Sequence, residues 1–344
     1  MGRKHLQRID QHPGSVHENL HRRSPRQRPR TKQQHRAKPL STDSIWIGTD
    51  GGGINLFNPR TEKFTHYLST WNDKIAFISG FTPGKLLISL FSKGVFIFNP
   101  ATGEKQPFPI VDKETTTQLC NRGKSVNLYQ NTPNTVLLLG DHVYQYHLKE
   151  REFDKVTGEE GKSIVGTLVP FKHENNRTYI NDFKHIYELH DGDSLLQTTF
   201  ECYQDTVISS ASHDEHGDFW IGSNFGLIHY NPVSQKQTHI LTNLFTEVNM
   251  VQCDQRGKVW IGADNLLFAW LIQEQKFVLF GESNGAIQNE YLPNARLVNN
   301  EGDVYIGGVK GMLRIDGQLL LNTSEMPELQ LLDIIINGEH AQNK

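Results

Sequence analysis

The sequence predicts an all-β chain: a seven-bladed β-propeller of four-stranded blades, closed or imperfectly closed, preceded by a disordered basic N-terminal arm. Three observations predict it. Ile45-Trp46-Ile47-Gly48 returns as Trp220-Ile221-Gly222, Trp260-Ile261-Gly262 and Tyr305-Ile306-Gly307. Degraded copies between them place Gly48, Ser89, Gly140, Asn181, Gly222, Gly262 and Gly307 in one register, at steps of 40 to 51 residues. Short apolar runs and turns repeating near that period make up the blade of a propeller. A second pattern precedes the first: Asp214-x-x-Gly217-x-x-Trp220, Asp254-x-x-Gly257-x-x-Trp260 and Asn299-x-x-Gly302-x-x-Tyr305. Third, with 36% hydrophobic and 10% aromatic residues the composition suits a globular all-β fold, and no apolar run approaches the length that spans a bilayer.

Each blade reads as four strands. The innermost is a short apolar run, as in Lys74–Ile78, Thr206–Ser209 or Val248–Val251. A turn follows in which Gly supplies a positive φ and Asp or Asn binds its own turn backbone. The Trp-Ile-Gly run is the second strand. A polar turn leads to the third, Gly53–Phe57, Gly94–Phe98 or Gly226–Tyr230, which Asn58-Pro59, Asn99-Pro100 and Asn231-Pro232 end, since Pro cannot continue a ladder. Lys63–Tyr67 and Lys276–Phe280 illustrate the fourth. Period-2 alternation with β-branched and aromatic residues supports all four. Seven second strands are legible but only six innermost ones, centred near Ile75, Val126, Ile164, Val207, Val248 and Ala295. The innermost strand due before Ile45 falls in an Arg/Gln-rich stretch, so the ring is expected to be open or closed by an improvised segment.

Three regions result: residues 1–41 as the arm, 42–322 as the propeller and 323–344 as the beginning of something else. The arm carries eleven Lys/Arg against Asp10 and Glu18, a charge of +9, while the rest of the chain carries −12 within a total of −3. Its sparse apolar content cannot offset the entropy of ordering, and it has no apolar segment of the signal-peptide kind. No aromatic residues interleave with its charge, so no nucleic-acid partner is expected. The composition shifts abruptly at residue 41 and the repeat begins in mid-blade, which suggests an artificial start. Cys120, Cys202 and Cys253 are odd in number and lack ligand spacing, implying free thiols rather than a disulfide framework.

Ile45-Trp-Ile-Gly-Thr-Asp-Gly-Gly-Gly-Ile-Asn-Leu-Phe-Asn-Pro59 resembles the two-component regulator propeller repeat. Glu282-Ser-Asn-Gly-Ala-Ile-Gln-Asn-Glu-Tyr291, followed by Gly302–Met312, is similar to the last blade of the sensor region of hybrid two-component systems in glycan-degrading gut bacteria. Pro327–Gly338 resembles the opening strand of the immunoglobulin-like domain that follows that blade. The resemblance spans roughly 45–338. It implies a periplasmic sensor fragment responding to oligosaccharide-derived signals, with dimerisation common and the kinase and membrane helix elsewhere. Such sensors generally carry about twice as many repeats.

No Ser/His/Asp or Cys/His signature emerges, and no cofactor or metal is expected. His213-Asp214-Glu215-His216-Gly217-Asp218 has metal-like spacing, but Asp214 and Gly217 occupy hairpin-turn positions, with the other side chains expected in solvent. Asp50-Gly51-Gly52-Gly53 lacks the helix and lysine of a phosphate cradle. Asp191-Gly192-Asp193 lacks the remaining ligands of a calcium loop. Binding is the better expectation. Loops leading into innermost strands line one mouth of a propeller, and here they carry Trp71 and Asn72, Tyr203 and Gln204, Phe245, and Asn289, Glu290 and Tyr291. Aromatic faces stack on sugar rings while amides and carboxylates bind hydroxyls. The alternative for these aromatics is packing between blades, and for Tyr291 in particular a structural role. The ligand is expected to be an oligosaccharide or another small molecule. A stand-alone interaction scaffold is the other reading, and a lyase or glycosidase with carboxylates at the channel mouth a third.

Overall fold

A computed structural model of the chain describes residues 6–9, 44–68, 74–82, 84–91, 93–109, 126–140, 142–158, 169–173, 177–190, 197–203, 205–240, 242–319, 335–336 and 339–340. Seven antiparallel sheets follow one another along the chain. Blade 1 shows Ile45–Gly48, Ile54–Asn58 and Lys63–Tyr67. Blade 2 has Ile75–Phe81, Lys85–Leu90, Gly94–Asn99 and Glu104–Pro107. Blade 3 has Asn127–Thr132, Thr135–Leu139, Val143–His147 and Glu152–Val156. Blade 4 has Val169–His173, Arg177–Asn181, His185–His190 and Gln197–Glu201. Blade 5 has Ile208–His213, Phe219–Ser223, Gly226–Asn231 and Lys236–Ile240. Blade 6 has Val248–Cys253, Lys258–Ala263, Leu266–Leu271 and Lys276–Phe280. Blade 7 is built from Tyr291–Val298, Val304–Gly308, Gly311–Ile315 and, on its outer edge, Leu6–Ile9.

The register of the repeat holds: the aligned positions fall on, or in blade 3 directly after, the second strand of each blade. Blade 1 is three-stranded among the described residues, lacking the innermost strand that the sequence could not supply. One placement is corrected. The innermost strand of blade 4 lies at Val169–His173, not near Ile164, because Val169 and Phe171 are the residues that pair with Asn181 and Tyr179. The arm also differs from its expectation at four residues. Leu6 faces Ile315 and Ile9 faces Met312 in an antiparallel ladder, covering a strand edge that would otherwise offer unpaired backbone groups. At the other end, Ile335–Ile336 pairs with Glu339–His340; the rest of the expected strand Pro327–Gly338 lies outside the described residues.

Packing, rather than strand pairing, joins the blades, and each of the seven junctions has its own apolar cluster. Trp46 and Ile54 meet Ile75 and Phe98 between blades 1 and 2. Leu87 and Phe108 meet Leu128 and Tyr146, and Leu137 and Val156 meet Ile180 and Tyr187, at the next two junctions. Tyr179 and Phe200 meet Ala211 and Phe219 between blades 4 and 5. Trp220 and Phe245 meet Val251 and Phe268, then Trp260 and Phe280 meet Tyr291 and Ile306. The seventh cluster joins Tyr305 and Met312 of blade 7 to Ile45, Ile47 and Phe57 of blade 1. The ring is closed.

The turns between first and second strands show why their signature repeats. Asp214 Oδ1 accepts the amides of His216 (2.9 Å) and Asp218 (3.1 Å), and Oδ2 accepts Trp220 Nε1 (2.8 Å). Asp254 Oδ1 takes the amides of Arg256 and Lys258, and Asn299 Oδ1 those of Glu301 and Asp303. Gly217, Gly257 and Gly302 have φ of 84°, 81° and 86°, where a side chain would be strained. One polar group thus satisfies the tight turn in all three blades, and in blade 5 it also holds the indole of the next strand.

Candidate functional site: the loop-bearing mouth at blades 4 and 5

Consecutive antiparallel strands place their turns alternately on the two faces of the ring. The loops into innermost strands therefore share a face with the turns between second and third strands. Around blades 4 and 5 these two kinds of loop are bonded together. Cys202 N–H donates to Lys184 O (2.7 Å) and Ile208 N–H to Phe183 O (2.8 Å). From the other side, Asn224 Oδ1 accepts Val207 N–H (2.7 Å) and Asn224 Nδ2 donates to Asp205 O (3.2 Å). The loop after Glu201 is held between the turn at 182–184 and the turn at 224–225.

Each of the three segments presents an aromatic ring to solvent. Tyr203 is 70% exposed, Phe183 52% and Phe225 57%, with Val207 beside them. Exposed apolar side chains are ordinary singly and informative when grouped. Polar groups border them. Asp182 Oδ1 accepts the amides of Lys184 and His185 (2.7 Å each), and its Oδ2 accepts the Tyr187 hydroxyl (2.9 Å). His185 Nε2 lies 3.6 Å from the exposed Glu201 carboxylate. Burial, reinforced by the negative charge of Asp182, pushes the Tyr187 hydroxyl well above its ordinary value. Burial likewise pushes the Cys202 thiol up to about 11, partly opposed by Lys184. Both groups stay protonated at neutral pH, so Tyr187 serves as a fixed donor and Cys202 as a small apolar filler.

The sequence-predicted site residues separate. Tyr203 is exposed in this mouth, and Glu290 is exposed on the same face at blade 7. Phe245 is a correction: it is buried against Phe268 and Phe277, with ring centroids 5.0 and 5.3 Å apart, and has no face left for a ligand. Its neighbour Leu244 is the exposed one. Asn289 is also buried, its Oδ1 accepting Lys310 N–H (2.9 Å). Tyr291 is a core residue whose hydroxyl donates to Ile287 O (3.1 Å). Trp71, Asn72 and Gln204 lie outside the described residues. Phe183 and Phe225 were not foreseen, because the turns after second strands were read as polar. The signal was an aromatic directly after the turn's Asp or Asn, in Asn181-Asp182-Phe183 and Ser223-Asn224-Phe225.

No protein-family model matches the sequence, and no curated protein matches it. Solved structures do. The extracellular domain of BT4673 from B. thetaiotaomicron, assigned to a hybrid two-component system, superposes with a TM-score of 0.64 at 13% identity over 90% of this chain. That of BT3049 from the same organism, likewise assigned, gives 0.63 at 16% identity over 91%. The chain shares the fold of these extracellular domains. It spans 39% and 44% of their lengths. YCF48 bound to D1 peptide is similar too, with a TM-score of 0.62 at 11% identity, covering 84% of this chain and 95% of that one. At these identities the likeness is one of fold.

Proposed function

We propose that the chain is a non-enzymatic ligand-sensing propeller, one part of the extracellular sensor of a hybrid two-component system. It works in the periplasm, takes an oligosaccharide-derived ligand at the mouth of blades 4 and 5, and relays binding to a kinase carried on another part of the protein. The observation that carries this reading is the set of exposed rings, Phe183, Tyr203 and Phe225, held by three loops that are bonded to one another. No ring–ring contact joins the three, so they form separated platforms suited to an extended ligand. The carboxylates of Glu201 and Asp205 lie on the same loops, as acceptors for hydroxyl groups. The fold shared with two-component extracellular domains supports the sensing role, and pairing of two copies is a means of transmission compatible with it.

The test is calorimetric binding over a panel of oligosaccharides, with wild type and a Phe183→Ala/Tyr203→Ala/Phe225→Ala variant. Stacking contacts of about 1 kcal/mol each predict a loss of at least tenfold in affinity, with the melting temperature little changed because the rings are exposed. Equal affinity in the triple variant contradicts the placement. The similarity to YCF48 bound to D1 peptide favours a second reading in which the same rings take an extended peptide. A peptide panel in the same experiment separates the two.

A further inference from the structure

On the face opposite the mouth, blade 5 departs from its neighbours in charge. Asp214 is 3% exposed and Asp218 lies beside it, four residues on in the same turn. His229, from the third strand, brings Nε2 to 2.8 Å from Asp218 Oδ2. The ligand atoms of the three residues all lie within 4.8 Å of one another. The same repeat positions in blade 6 hold Asp254, Lys258 and Ala269, with Lys258 Nζ 3.3 Å from Asp254 Oδ2. In blade 7 they hold Asn299, Asp303 and Arg314, with Arg314 Nη2 2.7 Å from Asp303 Oδ2. Each of those blades balances one carboxylate with a permanent cation. Blade 5 sets two carboxylates against one imidazole, and among the described residues no Lys or Arg pairs with either.

We propose that Asp214, Asp218 and His229 bind a divalent transition-metal ion of the zinc type, which supplies the charge that Lys258 and Arg314 supply in the following blades. Two carboxylate oxygens and one imidazole nitrogen form a ligand set that zinc accepts and that oxygen-preferring calcium or magnesium does not favour. Zinc bonds of about 2.0–2.2 Å require ligand atoms within this range of separations, after small side-chain rotations. The surroundings already orient the ligands. Trp220 Nε1 holds Asp214 Oδ2 (2.8 Å) and Asn231 Nδ2 holds Asp218 Oδ1 (2.7 Å), leaving Asp218 Oδ2 toward the imidazole. His229 is fixed by stacking on Trp220, at 4.5 Å between centroids and 26° between planes. Such second contacts set the direction of metal-binding side chains. On binding, the metal takes the place of the hydrogen between Nε2 and Oδ2, and His229 ligates as a neutral imidazole whose one ring hydrogen sits on Nδ1.

The sequence drew attention to this segment, which includes Asp214 and Asp218, but reads it as a turn that holds no metal. His216 and Glu215 are exposed, whereas Asp214 turns inward and the third ligand comes from a strand eleven residues beyond Asp218. The experiment uses the full chain and zinc alone. Calorimetry and thermal melting should show one zinc per chain and a zinc-dependent rise in melting temperature. His229→Arg copies blade 7, so it should fold, bind no zinc at this site and melt independently of zinc. His216→Ala should leave the response intact. No zinc response in wild type, an unchanged response in His229→Arg, or a response abolished by His216→Ala would each overturn the site. A response to calcium and not to zinc would do the same.

Discussion

Tyr305→Ala is expected to destabilise the entire propeller, by about 3–5 kcal/mol, through the loss of a large fully buried ring. Tyr305 is 1% exposed and packs with Met312 from its own blade and with Ile45, Ile47 and Phe57 from blade 1. It therefore lies at the seam where the last blade meets the first. In a ring, that seam carries the same load as any other junction, and its loss lowers the stability of all seven blades together. Denaturant unfolding followed by tryptophan fluorescence and by far-ultraviolet circular dichroism should give a single shared transition at a lower midpoint. An open array would respond differently: nearest-neighbour stacking confines such damage to the terminal blades, and the two probes would separate. Coincident midpoints equal to those of wild type would show that the seam contributes nothing.

Gly262→Ala is expected to cost about 1–3 kcal/mol, a large effect for one methyl group. A Cβ at Gly262 would stand 2.7 Å from the Tyr291 Cβ and 3.3 Å from the Met250 Cβ. At Gly222 it would stand 2.6 Å from Val248 Cγ1 and 2.9 Å from Val251 Cγ2. In both blades the glycine of the Trp-Ile-Gly run is the place where innermost strands press against the second strand. The cost should appear as a lower denaturant midpoint at unchanged slope. Gly281→Ala is the control, since nothing lies within 4 Å of a Cβ there and its φ is in the extended region. Equal midpoints for Gly262→Ala and Gly281→Ala would contradict the close approach.

These glycines also explain why so much of the fold was legible. Blades 5 and 6 repeat the same small gap, and blades 5 to 7 the same aromatic position and the same capped turn, so the packing writes its period into the chain. Where packing does not repeat, the sequence is silent. The innermost strand of blade 4 was displaced toward Ile164 because an apolar pair there resembles a strand start, and only pairing with Arg177–Asn181 fixes Val169–His173. Site residues were legible in part for a similar reason. In Asn243-Leu244-Phe245, residue type alone gives either apolar side chain a claim to the surface; the junction buries the ring and leaves Leu244 54% exposed. Asn289 looks like a sugar-binding amide but holds the turn at Lys310. Tyr203 is exposed at a mouth, while Phe183 and Phe225 come from turns that the repeat alone reads as polar.

Hydrogen exchange with and without the tightest-binding oligosaccharide of the panel locates the ligand, which is expected where three bonded loops expose their rings. Exchange should slow in peptides spanning 182–185, 201–208 and 223–226, with the turns at 213–218 and 254–258 on the opposite face unchanged. Slowed exchange confined to those opposite-face turns, or to blades remote from 4 and 5, would contradict it.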